Sequence, residues 1–402
     1  MQPGSIAIMH HHLYPGGVAR IIDSQVKSLT DQYPGLKIRV ICGYTDQTDR
    51  YQKQGVQMMV NEDLNYLYDE NPPAEKILDF TRRITHYLRK VLGDHDFAKD
   101  RPANMAFLEY ILRDGLGLNP QEILYPRDME NYHFAVINTY DQQRLLNQGI
   151  PPHRVTYLPN PVSMPETESL PSTEACRKKI TDTLNLDPRQ KIVTYPVRVI
   201  RRKNIGELIF LSELFRDQAV FLVTLAPKNP LEYEHYNQWI AFCQENQLNN
   251  IHFEVGKVID FPELVKGSDL CITTSLREGF GMTYMEPWLY RTPVVGRKID
   301  YITRDFLNKG LTFNRLYESI ILPGQNVDFK DLETKDQMYE ILKARHNPAR
   351  KKEIFAHNTP LKELLKEVDK NTIEANIKRI IQHYSPESYG KKIMETYHGL
   401  PG

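Results

Sequence analysis

The sequence predicts an α/β protein made of two doubly wound domains, each with a parallel sheet. Three observations lead there. Apolar, strand-like runs alternate with 3.6-period helical patterns along both halves of the chain. A stretch rich in Pro, Ser and Thr, PNPVSMPETESLPSTEA at 159–175, separates the halves. The length, 402 residues, suits two or three domains at about 150 residues each. Ligands of open parallel sheets sit beyond the carboxyl ends of the strands, so two such domains predict a cleft between them.

In the first half, SIAIM (5–9) is a short apolar run ending at a turn. From Val18 onward, Val18, Ile21, Ile22, Val26 and Leu29 fall on one helical face. KIRVICGY (37–44) and GVQMMV (55–60) read as the next strands. Pro72-Pro73 opens a helix carrying Ile77, Phe80, Ile84, Tyr87, Leu88 and Val91. FAVINTY (134–140) and RVTYLP (154–159) are strands around a helix from Asp141. The second half restarts the alternation with KIVTYPVRV (191–199), a helix from Asn204 and AVFLVTLA (219–226). A helix over 231–246, IHFEV (251–255), DLCITTS (269–275), a helix at 282–290 and PVVG (293–296) follow. Near the end, 371–400 is helical, with Ile373, Ile377, Ile380 and Ile381 on one side.

Lys+Arg and Asp+Glu are both 51, so no global charge favours nucleic acid or an acidic membrane surface. No apolar run approaches the roughly 18 residues of a membrane span. The N-terminus has no basic segment before its apolar run, so no secretory signal is expected. Cys42, Cys176, Cys243 and Cys271 lie far apart with no CxxC pair, the usage of free thiols in a reducing cytoplasm.

Two segments carry the chemistry. In TSLREGFGMTYMEPWLYRTPVVG a strand ends at Ser275, followed by Glu278, the loop Gly279-Phe280-Gly281, a short helix from Met282, and Glu286. Two glycines before a helix let backbone N–H groups approach an anion, and the helix N-terminus adds positive potential. Carboxylates beside such a site suit the hydroxyls of a phosphorylated sugar. The same residues also suit an ordinary loop with acids at the favourable end of a helix dipole. In TYPVRVIRRKN, Arg198, Arg201, Arg202 and Lys203 follow a strand end, a position that suits a phosphate. A solvated loop or a short basic patch is the alternative. Gly16-Gly17 lies between strand and helix, where it can close on phosphate or acceptor sugar, or form a plain tight turn. His10-His11-His12 does not suit one metal ion, because neighbouring residues on a strand point to opposite faces.

Together these segments resemble retaining glycosyltransferases of the GT-B architecture, in the large group with an E-x7-E signature (glycosyltransferase family 4-like). Glu278 and Glu286, with seven residues between, match the signature. Arg198 and Lys203 in PVRVIRRKN match the pair that neutralises the donor diphosphate, and Gly16-Gly17 matches the glycine loop after the first strand. The resemblance implies that Glu278 contacts the transferred sugar and Glu286 the nucleotide ribose. Gly279, Phe280, Gly281 and Met282 join the donor site on the same basis. It implies a catalytic role near the anomeric carbon for His95, in Asp94-His95-Asp96-Phe97. The chain departs from the family between 60 and 94, where about one βα unit is missing, so the N-domain reads as shortened. Asp94-His95-Asp96 is also an Asp-x-Asp pattern of the kind that binds metal in the other common glycosyltransferase architecture.

The expected organisation is an acceptor-side domain at 1–165, a nucleotide-sugar domain at 166–375, and a terminal helix at 376–402 returning to the first domain. The expected activity is retaining transfer of a hexosyl group from a nucleotide-diphospho-sugar to a sugar or small hydroxyl acceptor, in the cytoplasm. Neither metal, cofactor nor nucleic acid is expected. The alternative is a non-catalytic sugar-nucleotide binder or partner subunit. A dinucleotide-dependent oxidoreductase is disfavoured because no G-x-G-x-x-G follows a predicted strand.

Overall fold

The computed structural model of the chain describes residues 5–10, 13, 17–45, 48–60, 133–147, 149–165, 170–228 and 232–398. The chain divides into two compact units, Met1–Ser163 with Gln382–Gly402, and Met164–Ile381. The helix predicted after Pro72-Pro73 and the shortened stretch between 60 and 94 lie outside the described residues.

In the first unit, β1 (Ser5–His10), β2 (Lys37–Cys42) and β3 (Gln57–Val60) pair in parallel, in that order. Ser5 lies opposite Lys37 and His10 opposite Cys42. The crossover helix α1 (Gly17–Gln32) buries Ile22, Val26 and Leu29, three of the apolar positions at helical spacing. α2 (Thr48–Lys53) precedes β3 and buries Tyr51. A second parallel pair, β4 (Phe134–Val136) and β5 (Val155–Tyr157), brackets α3 (Thr139–Asn147). Asn138 starts that helix, its side-chain oxygen accepting from the Asp141 N–H at 2.7 Å. The C-terminal helix, Pro386–His398, packs on α1. Its Tyr389, Ile393 and Met394 join Ile22, Val26 and Leu29 in one core. Gly390 permits the close approach, because a Cβ there would stand 2.3 Å from the Ser28 hydroxyl.

The second unit is built on six parallel strands: β6 (Lys191–Arg198), β7 (Ala219–Leu225), β8 (Ile251–His252), β9 (Leu270–Thr273), β10 (Val294–Arg297) and β11 (Leu316–Tyr317). Their order is β11-β10-β9-β6-β7-β8. The chain lays β7 and β8 outward from β6, then returns to place β9, β10 and β11 on the other side. The reversal falls between β6 and β9, the topological switch point of a doubly wound sheet. The central strands read as continuous apolar runs because both faces are covered. α4 (Thr173–Leu184) buries Cys176 and Ile180, and α5 (Ile205–Leu214) is buried along its whole length. α6 (Tyr233–Glu245) brings Trp239 and Phe242 into the same core as α5. α7 (Phe261–Gly267) leads into β9, and α8 (Asp300–Asn308) follows β10. Pro196 interrupts β6 near its end. It has no N–H for the ladder, and the pairing with β7 shifts between Tyr195 and Arg198.

The predicted helix at 282–290 is not one helix. It is two 3₁₀ turns, Met282–Tyr284 and Glu286–Tyr290. Pro287 lacks the N–H that an α-helix would bond to residue 283, and its ring disfavours helical backbone at Glu286. IHFEV is likewise shorter than predicted: the strand ends at His252, and Glu254 turns the chain with φ +59°.

Candidate functional site

The site builds from the carboxyl ends of β6 and β9. Beyond β6, Ile200 leads into a 3₁₀ turn of Arg201–Lys203, and Asn204 closes it with φ +51°. Beyond β9, Thr274 and Ser275 lead to Glu278 and the glycine loop. Hydrogen bonds hold the two segments. The Leu276 N–H donates to the Arg202 carbonyl at 2.9 Å. Thr274 Oγ1 donates to the Lys203 carbonyl at 2.9 Å. The Tyr195 hydroxyl donates to that carbonyl at 3.1 Å and shares a 2.6 Å contact with Ser275 Oγ. Short hydroxyl side chains at a strand end are suited to hold neighbouring backbone in this way.

The clamp brings Lys203 and Glu278 into contact, Lys203 Nζ donating to Oε1. Arg202 Nη1 donates to Oε2 at 2.7 Å and to the Arg277 carbonyl at 2.9 Å. The Glu278 side chain is only 8% exposed. Burial alone would raise its pKa, but the Lys203 ammonium and the Arg202 guanidinium outweigh that and bring it down to about 2. Its backbone is held as well. The Tyr301 hydroxyl, from α8, accepts from the Glu278 N–H at 3.0 Å and donates to its carbonyl at 2.8 Å.

Arg198 ends β6, half-buried, with Nη1 donating to the Ala226 carbonyl at 2.8 Å. Burial works against its charge and lowers its pKa. Under the loops, Asn204 Nδ2 donates to Glu207 at 3.0 Å, and the fully buried Glu207 accepts from Arg297 at 2.6 Å. Arg297 also pairs with Asp328 at 2.9 Å, so the buried cation has two anionic partners.

Gly281 has φ +87°, and a Cβ there would meet Ile302 Cγ2 at 2.7 Å. The Phe280 ring packs edge-on against Phe306, 5.6 Å between centroids, so its side chain serves the core. Gly279 is buried and Met282 half-buried on either side. Glu286 opens the second 3₁₀ turn, half-buried. The Cys271 thiol, raised first by burial, is raised further by the Glu286 charge. Because the segment is 3₁₀, the helix dipole expected after Gly281 is reduced to single turns.

Of the remaining predicted residues, Gly17 begins α1. Gly16 and His95 lie outside the described residues, as do Asp94 and Asp96. The sequence reading placed Arg202 only in a basic cluster suited to phosphate, whereas it contacts Glu278, and it assigned no role to Tyr301, Tyr195 or Thr274. The run Thr273-Thr274-Ser275 at a strand end was a usable signal for the hydroxyl clamp. Nothing local pairs Arg202 with Glu278, which are 76 residues apart.

The doubly wound sheet, with cations and a buried carboxylate at its switch point, belongs to a fold whose structural neighbours are GT-B glycosyltransferases. Residues 177–315, which lie within the second unit, match the family model described as glycosyl transferases group 1. The matched span includes Arg198, Lys203, Glu278, Gly279, Phe280, Gly281, Met282 and Glu286. One curated relative is the mannosylglucosyl-3-phosphoglycerate synthase of Petrotoga mobilis, 28% identical over 76% of this chain. The match covers 66% of that relative's own length. Among solved structures, a glycosyltransferase from Rickettsia africae aligns over 98% of this chain and 97% of its own, with TM-score 0.59 and 14% identity. The Anabaena protein HepE, in complex with UDP and glucose, covers 98% of this chain and 100% of its own, with TM-score 0.58 and 12% identity.

Proposed function

We propose that the protein transfers a hexosyl group from a nucleotide-diphospho-sugar to a sugar or small hydroxyl acceptor, with retention and without a metal, in the cytoplasm. The reading rests on one observation: Lys203 and Glu278 touch at the carboxyl ends of β6 and β9, with Arg198 on the same strand end. A departing diphosphate develops negative charge. Arg198 and Lys203 stabilise that charge, the term that preorganised cations supply. Buried hydroxyls hold the Lys203 backbone in place. Glu278 accepts hydrogen bonds from the transferred sugar, and Glu286 from the ribose. The backbone of Gly279–Gly281 lies against the donor. Gly16 and Gly17 bind the donor, and His95 is catalytic.

The test is a panel of nucleoside diphosphates and sugar nucleotides followed by thermal shift, since a ligand of the folded state raises apparent stability. The name of the Petrotoga relative puts a mannosyl nucleotide and a phosphoglycerate glycoside first among donors and acceptors. At least one donor is expected to raise the melting temperature and to be slowly hydrolysed, with turnover surviving exhaustive EDTA treatment. Activity that vanishes with EDTA and returns with Mn²⁺ would move the diphosphate role to a metal. Donor binding without hydrolysis or transfer would make the protein a non-catalytic binder.

A further inference from the structure

We propose that Arg202 is a positioning residue, which keeps Glu278 ionised and oriented toward the sugar when Lys203 turns to the donor diphosphate. This rests on the transferase reading above. Each oxygen of Glu278 has its own cation: Oε1 takes Lys203 and Oε2 takes Arg202. Lys203 is a compact point charge with three donors, and a diphosphate draws it away from a single carboxylate. A buried carboxylate left with no cation would protonate or turn, and so lose its acceptor character. Arg202 prevents this because its position does not depend on the donor. The same Nη1 that reaches Glu278 is fixed to the Arg277 carbonyl, and the Arg202 backbone is fixed by the Leu276 N–H.

Among the described residues, three tyrosines and a serine also stand around Glu278. Tyr195 of β6 and Tyr284 of the first 3₁₀ turn feel its charge as an unfavourable one. Tyr301 of α8 engages its backbone. Ser275 offers a hydroxyl. None of these supplies positive charge.

The experiment compares wild type, Arg202→Gln, Arg202→Lys and the double variant Arg202→Gln/Glu278→Gln, each as the full chain. The first arm needs no ligand and follows melting temperature against pH. Glu278 has a depressed folded pKa, so its ionised form contributes stability above the unfolded value of 4.5, and this is lost as pH falls toward about 2. In Arg202→Gln the loss is expected to begin at higher pH. Arg202→Lys should restore most of the wild-type profile, and the double variant should abolish the acid-dependent difference.

The second arm measures affinity for UDP and GDP by calorimetry and hydrolysis of the corresponding sugar nucleotides. Arg202→Gln is expected to keep nucleoside diphosphate affinity while losing about tenfold or more in sugar-nucleotide turnover, the worth of one hydrogen bond to a charged group. Its turnover should also fall toward acid pH where the wild type is flat. Loss of UDP or GDP affinity equal to that of Lys203→Ala would overturn the proposal and make Arg202 a phosphate ligand. A melting profile and pH–rate profile superimposable on wild type would overturn it as well. A wild type that binds and turns over no nucleotide sinks the transferase reading instead, and the first arm still reports whether Arg202 sets the ionisation of Glu278.

Discussion

A single carboxylate distinguishes the two acidic residues of the signature. Glu278 is locked between Lys203 and Arg202, and Glu286 opens a 3₁₀ turn. If Glu286 accepts hydrogen bonds from the ribose, Glu286→Ala removes a charged acceptor worth about 1.5–3 kcal/mol, a loss of roughly tenfold to a hundredfold in nucleotide affinity. Calorimetry with nucleoside diphosphate measures it, and unchanged affinity would remove the ribose role. Glu278→Ala is expected to impair use of the sugar nucleotide while sparing the free nucleotide, which has no sugar for it to hold. The residue types and spacings of this site were legible: five positions from Arg198 to Lys203, and seven residues between Glu278 and Glu286. Their mutual contacts were not. A salt bridge that spans 75 residues follows from the strand order, and no local pattern reports it.

Elements were legible where the pattern was long and periodic. The face of α1 and the continuous apolar strands β6 and β7 follow directly from spacing. Strands of two residues, β8 and β11, are too short to show a period, and the 3₁₀ turns after Gly281 carry a helical composition that Pro287 breaks. Gly281 is the joint between β9's loop and those turns. At φ +87° a side chain strains the backbone at a cost of about 1–3 kcal/mol, before any contact is counted. The added carbon also presses on Ile302 at 2.7 Å, in the helix that carries Tyr301. Gly281→Ala is therefore expected to lower stability by about 1–3 kcal/mol or somewhat more. It should also weaken sugar-nucleotide use, because Tyr301 holds the Glu278 backbone. Urea denaturation and donor hydrolysis on one preparation check both. A destabilised variant with full turnover would separate the glycine from the site.

At the scale of the molecule, the alternation of strands and helices foretold the fold class, and the E-x7-E and Arg/Lys spacings fall in the span, 177–315, that matches the group 1 glycosyl transferase model. The path of the chain end depends on a contact no local pattern encodes. Residues 382–402 belong to the first unit, so that unit is closed by segments from both ends of the sequence. The C-terminal helix contributes Ile393 and Met394 to the core under α1, along with Tyr389, whose hydroxyl accepts from Gln25 Nε2. Burying two such aliphatic side chains is worth about 3–6 kcal/mol as an upper estimate. A domain's whole stability is only about 5–15 kcal/mol, so the helix is expected to decide whether the first unit stays folded. The second unit makes its own core, from Val193 and Leu208 to Phe329, without that helix. Removing residues 386–402 is therefore expected to split thermal unfolding into two transitions, the first well below that of the intact chain. Nucleoside diphosphate affinity should survive, because every donor residue proposed beyond Gly17 lies in the second unit, while transfer to an acceptor should be lost. Calorimetric scanning with and without UDP or GDP tests this directly: the ligand should shift only the upper transition. A truncated chain that melts in one unshifted step would mean that the helix packs on α1 without supporting it.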